Sequence, residues 1–226
     1  MSDFNLNTHV HRLLINEPFF AALSRRIDKR PTTAIPTAGV QVNPDSHRFE
    51  LLYNPEFFAS LSDGHRAGVL KHEFYHLVFE HVTSRKPSGV NDFVWNVAAD
   101  LAINSHLAGE LPDGCLMPGE RQFEDYESGL AAEAYLNLLN NDEDFDPESG
   151  NSGTGEGEGE EGDDDQQPGG ASNSAGQFDS HEGWSTEDSA ANDIAKERLK
   201  DALKKAASEA ASSGNWGSVS SEVRRD

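Results

Sequence analysis

One long stretch of this chain contains no lysine or arginine at all, and it limits the possible folds more than any other feature. Residues 141–195 carry 17 acidic side chains and no basic one. Within NDEDFDPESGNSGTGEGEGEEGDDDQQPGGASNSAG, Phe145 is the sole large apolar residue, and Gly alternates with Glu over 155–160. Such a segment cannot bury enough surface to offset the entropy of ordering it, so residues 141–178 are expected to form an acidic, Gly-rich disordered linker. A calcium buffer and an acidic docking tail are the alternatives to a plain spacer, but the regular Asp ligands and turn Gly of a calcium loop are absent.

The formal charge of −22 is therefore unevenly placed. Residues 1–140 hold 18 acids and 11 bases, and residues 196–226 hold 5 acids and 7 bases. Phosphate backbones and anionic membrane surfaces would repel such a chain, which argues against nucleic-acid and membrane partners. The bases of 196–226 are interspersed with acids and lack aromatic interleaving, so a nucleic-acid role there is weakly supported. The lone Cys115 cannot form an internal disulfide, which fits a reducing compartment. No basic leader followed by an apolar run opens the chain, and no apolar stretch approaches a membrane span, so a cytoplasmic location is expected.

The globular mass falls to residues 1–140, a common size for one domain. Leu6, Val10, Leu13, Leu14 and Phe20 or Ala21 recur at helical spacing, predicting a helix over 5–27 that is bent or interrupted at Pro18. Gly39 to Asn43 and Arg48 to Tyr53 flank the turn sequence NPDS and predict a hairpin, with Phe49, Leu51 and Tyr53 facing a core. A short helix near Pro55 to Leu61 follows, and Ser62 or Asp63 can cap a long helix running from Gly64 to about Val82. The class is α+β, mostly helical with a small hairpin or sheet. Beyond the linker, residues 179–226 comprise a docking segment around Asp179, His181 and Trp184 and a helix ending near Gly214, with Ile194, Leu199 and Leu203 as its thin apolar stripe. The last residues, NWGSVSSEVRRD, contain no evident core element, which points to a longer parent chain.

The long helix contains His72-Glu73-Phe74-Tyr75-His76, an HExxH pattern. Histidines at i and i+4 lie on one helix face about one turn apart, so both imidazoles can reach one tetrahedral zinc ion. Glu73 beside them is placed to act as general base on a zinc-activated water. Leu70, Phe74, Leu77 and Val78 form an apolar stripe that buries the helix. Glu80 lies two turns, about 12 Å, along the axis from His72 and makes a poor third ligand, and His81 on a continuing helix is rotated away. Asp100 in VNDFVWNVAADLAINSHL is the better candidate, on one face with Asn96 and Asn104, beside Ala98, Ala99 and Ala102, which allow close helix approach. A helix-to-helix hydrogen-bond role is the alternative for Asp100. His106, the next candidate ligand, faces elsewhere, about 240° around the helix. Tyr75, Tyr126 and Tyr135 could each stabilise an oxyanion but fit core positions equally well.

LKHEFYHLVFEH, WNVAADLAIN, LPDGCLMP, GLAAEAYLNLL and DSHEGW together resemble a family of zinc metallopeptidases of bacteria and phages. Longer members of that family carry a C-terminal VWA-like domain and often accompany MoxR-type AAA ATPases. The resemblance implies a zincin-like fold, one zinc per chain held by His72, His76 and Asp100, and Glu73 as the catalytic glutamate. It also implies an extended peptide or protein substrate along an edge strand, for which Arg48 to Tyr53 is the candidate. The VWA-like domain is missing from this sequence. Asp179 or His181 could fold back as a plug on the zinc, or the island could dock through Trp184. The competing function is a non-catalytic, zinc-stabilised assembly module that recruits a partner such as an AAA ATPase.

Overall fold

The computed structural model describes residues 4–147, 189–219 and 224. The linker over 148–178 and the Asp179–His181–Trp184 island lie outside the described residues. Elements follow in the order α1 (Leu6–Leu13), α2 (Pro18–Ser24), β1 (Asp28–Pro31), β2 (Ala38–Val42), β3 (Phe49–Tyr53), α3 (Pro55–Ser60), α4 (Asp63–Val78), α5 (Asp92–Asn104), α6 (Ala132–Asn141) and α7 (Ser189–Ser213). A single 3-10 turn, Arg121–Phe123, precedes α6. The class is α+β, with helices around a small three-stranded sheet.

Pro18 divides the expected first helix into two. It occupies the first turn of α2, where its fixed φ is helical and its missing N–H would have no partner in any case. The expected hairpin forms, with β2 antiparallel to β3 from Ala38↔Tyr53 to Val42↔Phe49. Its connection is an Asx turn: the Asn43 side chain accepts from the backbone N–H groups of Asp45 and Ser46.

A strand without a sequence signal, β1, completes the sheet by pairing parallel to β3 from Asp28↔Glu50 to Pro31↔Tyr53. DKRP is short, charged and mostly exposed, so nothing in its pattern alternates. Its arrival corrects the assignment of the substrate edge. The sheet order is β1-β3-β2, which makes Arg48 to Tyr53 the central strand, hydrogen-bonded on both sides, with β1 and β2 as the edges. Glu50 is thereby buried rather than solvent-facing. Its carboxylate accepts from Gln41 (2.7 Å), Arg30 (3.0 Å) and Asn43 (3.2 Å).

Ser62 is the cap of α4, accepting from His65 N–H at 3.2 Å. The helix stops at Val78, four residues short of the expected end. Glu80 then takes a left-handed conformation, φ 57°, and His81 N–H donates to His76 C=O at 2.9 Å. Asn91 caps α5 through Phe93 N–H and Val94 N–H. At Gly68, one turn before His72, α4 lies against the segment that follows α5, where a Cβ would collide with the Glu110 carbonyl. Lys71, 1 % exposed, ties the same junction by bonds to Glu110, Glu17 and Ser218.

Side chains are buried in two hydrophobic clusters. The larger joins α1, α2, the sheet, much of α4 and the inner face of α7; the smaller joins most of α5 to Leu116, Phe123 and α6. The seam of α7 differs from the expected stripe. Ala195, Leu199, Ala206 and Ala210 are buried while Ile194 is 45 % exposed, because small alanines let α7 lie close against α2. Arg25 and Arg26 pair with Glu209 across this contact, and Arg198 donates to the Ser46 and His47 carbonyls. Gly214, φ 66°, ends the helix as expected. The segment after it does supply core residues: Trp216 stacks on Phe19 and Val219 is buried.

Candidate metal centre

The seam between α4 and α5 holds five titratable side chains that are almost wholly removed from water. His72, Glu73, His76, His81 and Asp100 are 5, 1, 0, 2 and 2 % exposed. Three of them converge. His72 Nε2 lies 3.0 Å from His76 Nε2, and Asp100 Oδ1 lies 3.4 Å from His76 Nε2 and 3.8 Å from His72 Nε2. Donor atoms 2.0–2.2 Å from a tetrahedral ion stand roughly 3.3–3.6 Å from one another, and the three separations bracket that range. Among the described residues this is the one cluster of three or more metal-ligating side chains.

The local sequence explains each position. His72 and His76 share a face because four residues turn α4 by slightly more than one revolution, and Leu70, Phe74 and Leu77 turn the rest of the helix into the larger core. Asp100 reaches them from the face of α5 opposite Ala98 and Ala102, and those two alanines pack with α6 in the smaller core, so the close approach they were expected to give α4 is made to α6 instead. Glu73 follows His72 directly, on the turn that joins the two histidines.

Each imidazole is also held from behind. His72 Nδ1 lies 2.7 Å from Asn104 Oδ1, while Asn104 Nδ2 donates to the Leu116 carbonyl at 2.8 Å. His76 Nδ1 lies 3.2 Å from His81 Nδ1, and His81 packs edge-on to Trp95. With both Nδ1 atoms engaged in these contacts, both Nε2 atoms turn towards each other and the Asp100 carboxylate oxygen. Two imidazole nitrogens and a carboxylate oxygen brought together out of water are a donor set that fits a divalent metal ion. Two nitrogens and one oxygen are a ligand set that divalent transition metals accept.

The remaining candidates sit elsewhere. The Glu80 carboxylate accepts from the Ser84 hydroxyl at 2.7 Å, and His106 stacks on Tyr75 and lies tilted against Phe79. Tyr135 donates to the Glu127 carbonyl and Tyr126 to Asp142, both packing contacts. Burial, reinforced by the Asp142 carboxylate, raises the Tyr126 phenol above its ordinary range. Sequence reasoning missed His81, since its return to His76 depends on the early stop of α4. It placed Asn104 on the Asp100 face without a role.

Helix-borne histidines one turn apart and a carboxylate from a second helix form a candidate metal centre. The chain belongs to the family described as "putative metallopeptidase domain", matched over residues 4–223. No curated protein and no solved structure shows a significant match. Among the described residues, no helix is long and apolar enough to cross a membrane.

Proposed function

We propose that this protein is a zinc-dependent peptidase with a zincin-like active site. The observation that carries the reading is the convergence of His72, His76 and Asp100, with Glu73 buried in the turn between the two histidines. His72, His76 and Asp100 would hold one zinc per chain. When bound, the ion supplies Lewis acidity, polarising a carbonyl and lowering the pKa of a coordinated water from 15.7 to about 7.

The chain's own residues supply the rest. Glu73 accepts the proton of the attacking water and returns it to the departing amine, so one water is consumed as the C–N bond breaks. Burial of Glu73 favours proton transfer over loss to bulk solvent. β2, an edge of the sheet that packs against α4, is the strand positioned to pair with an extended peptide. Residues 1–140, the proposed catalytic unit, contain all of these groups.

The test separates metal binding from hydrolysis. Purified protein is expected to carry about one zinc per chain by elemental analysis. His76→Ala loses it. Glu73→Gln keeps the zinc but loses cleavage of a peptide library by a factor of at least about 100, the lower range for general-base catalysis. Full cleavage by Glu73→Gln would remove the proposed mechanism. Zinc held in a closed four-ligand site with no cleavage by wild type would instead favour the assembly module.

A further inference from the structure

We infer that Asn104 is a positioning residue that sets which nitrogen of His72 is available to the metal, and that the Leu116 carbonyl sets Asn104 in turn. The inference rests on the proposed zinc site and concerns a step that precedes metal binding.

A backbone carbonyl accepts hydrogen bonds and never donates, so the end of the Asn104 amide 2.8 Å from the Leu116 oxygen must be its NH2 group. The other end, 2.7 Å from His72 Nδ1, is then the amide oxygen, which only accepts. His72 must therefore carry a proton on Nδ1. In the neutral ring that leaves Nε2 bare, and Nε2 is the atom facing His76 and Asp100. Were the amide reversed, its NH2 would face Nδ1 and favour the opposite tautomer, with a proton on the nitrogen that must bind the ion.

Burial holds the amide in this orientation. Asn104 is 3 % exposed and Leu116 6 %, so reversing it would set oxygen against oxygen with little water to relieve the repulsion. Asn104 ends α5 and Leu116 lies in the loop after it, so LPDGCLMP acquires a role: its backbone orients a metal-site histidine without contributing a side chain. Asp100 and Asn104 are one turn apart on α5, one aimed at the metal position and the other at the back of a ligand.

Two measurements on the full chain test this. In the metal-free wild type, nitrogen NMR of the histidine rings is expected to show His72 protonated at Nδ1 and bare at Nε2. Asn104→Ala should lose that preference and bind zinc about tenfold to a hundredfold more weakly, measured by competition with a chelator. Asn104→Leu fills a similar volume without an acceptor for Nδ1 and should weaken zinc binding as much as the alanine does, whereas a purely space-filling role for the side chain would predict recovery. A proton on Nε2 of His72 in the metal-free wild type overturns the inference, as does near-wild-type zinc affinity in the Leu variant. Should Asn104→Ala fail to fold, the wild-type spectrum and the Leu variant still decide. A wild type that binds no zinc would instead refute the metal site itself, and the His72 tautomer would still report on Asn104.

Discussion

The two hydrophobic cores contribute differently to one site. The larger core anchors α4 and so supplies His72, Glu73 and His76 from a single continuous motif. The smaller anchors most of α5 and supplies Asp100 and Asn104. Neither core holds a complete donor set. The proposed metal position is thus a joint between two packed units, and a bound ion would stabilise their docking as well as any chemistry.

The largest effect expected from breaking this comparison is on the α5 side. Asp100→Ala removes a donor while leaving the HExxH turn intact, and zinc affinity should fall by more than the roughly 10–100-fold that loss of an outer partner costs. Unchanged zinc content and affinity would show that the smaller core contributes no ligand.

Core truncations come next. Phe20→Ala in the larger core and Trp95→Ala in the smaller both remove wholly buried rings and should each cost about 3–5 kcal/mol in denaturant unfolding. Their effects on the metal should differ. Trp95 packs against His81 and lies on the helix that carries Asp100, so its loss should weaken zinc binding more than loss of Phe20. Equal loss of zinc affinity would mean that the joint responds to global stability alone.

A smaller effect is expected where the α4 side meets the exit of α5. Gly68→Ala would drive a methyl group into the Glu110 backbone and should cost about 1–3 kcal/mol, together with some zinc affinity as α4 shifts. A variant as stable as wild type would show that this contact yields freely.

The smallest effect at neutral pH belongs to Glu50, within the sheet. Burial on its own raises its carboxyl pKa, but hydrogen bonds from Gln41, Arg30 and Asn43, with the Arg30 charge, outweigh burial and leave it below the ordinary 4.5. A depressed folded value contributes stability that is present above the unfolded pKa and lost as pH falls through the folded one. Glu50→Gln should therefore flatten the decline of stability below about pH 4.5 and leave zinc affinity at neutral pH unchanged. An acid limb as steep as wild type would assign that decline to other carboxylates.

Much of this was legible from local patterns. The hairpin, the break at Pro18, the Ser62 cap and the stop at Gly214 each depend on residues close in sequence. His72, Glu73 and His76 could be read from one turn of helix for the same reason. β1 could not, since DKRP becomes a strand only because β3 has an edge to offer it. That pairing moved Arg48 to Tyr53 from the expected edge to the centre of the sheet. His81 and the Ala195–Ala210 seam were hidden similarly, one by a backbone reversal at Glu80 and the other by a partner surface on α2.

The sequence by itself determined which side chains could meet a metal, because helical periodicity fixes the relative directions of residues four apart whatever surrounds them. It also confined the excess negative charge to a segment separate from those residues. Only the tertiary structure decided which groups stand behind the histidines. Those contacts join positions 32 residues apart in one case and 5 in the other, and both depend on where helices end and how closely two cores pack. Short-range geometry can be computed along a chain; the orientation of a buried amide depends on a carbonyl that only folding brings within reach.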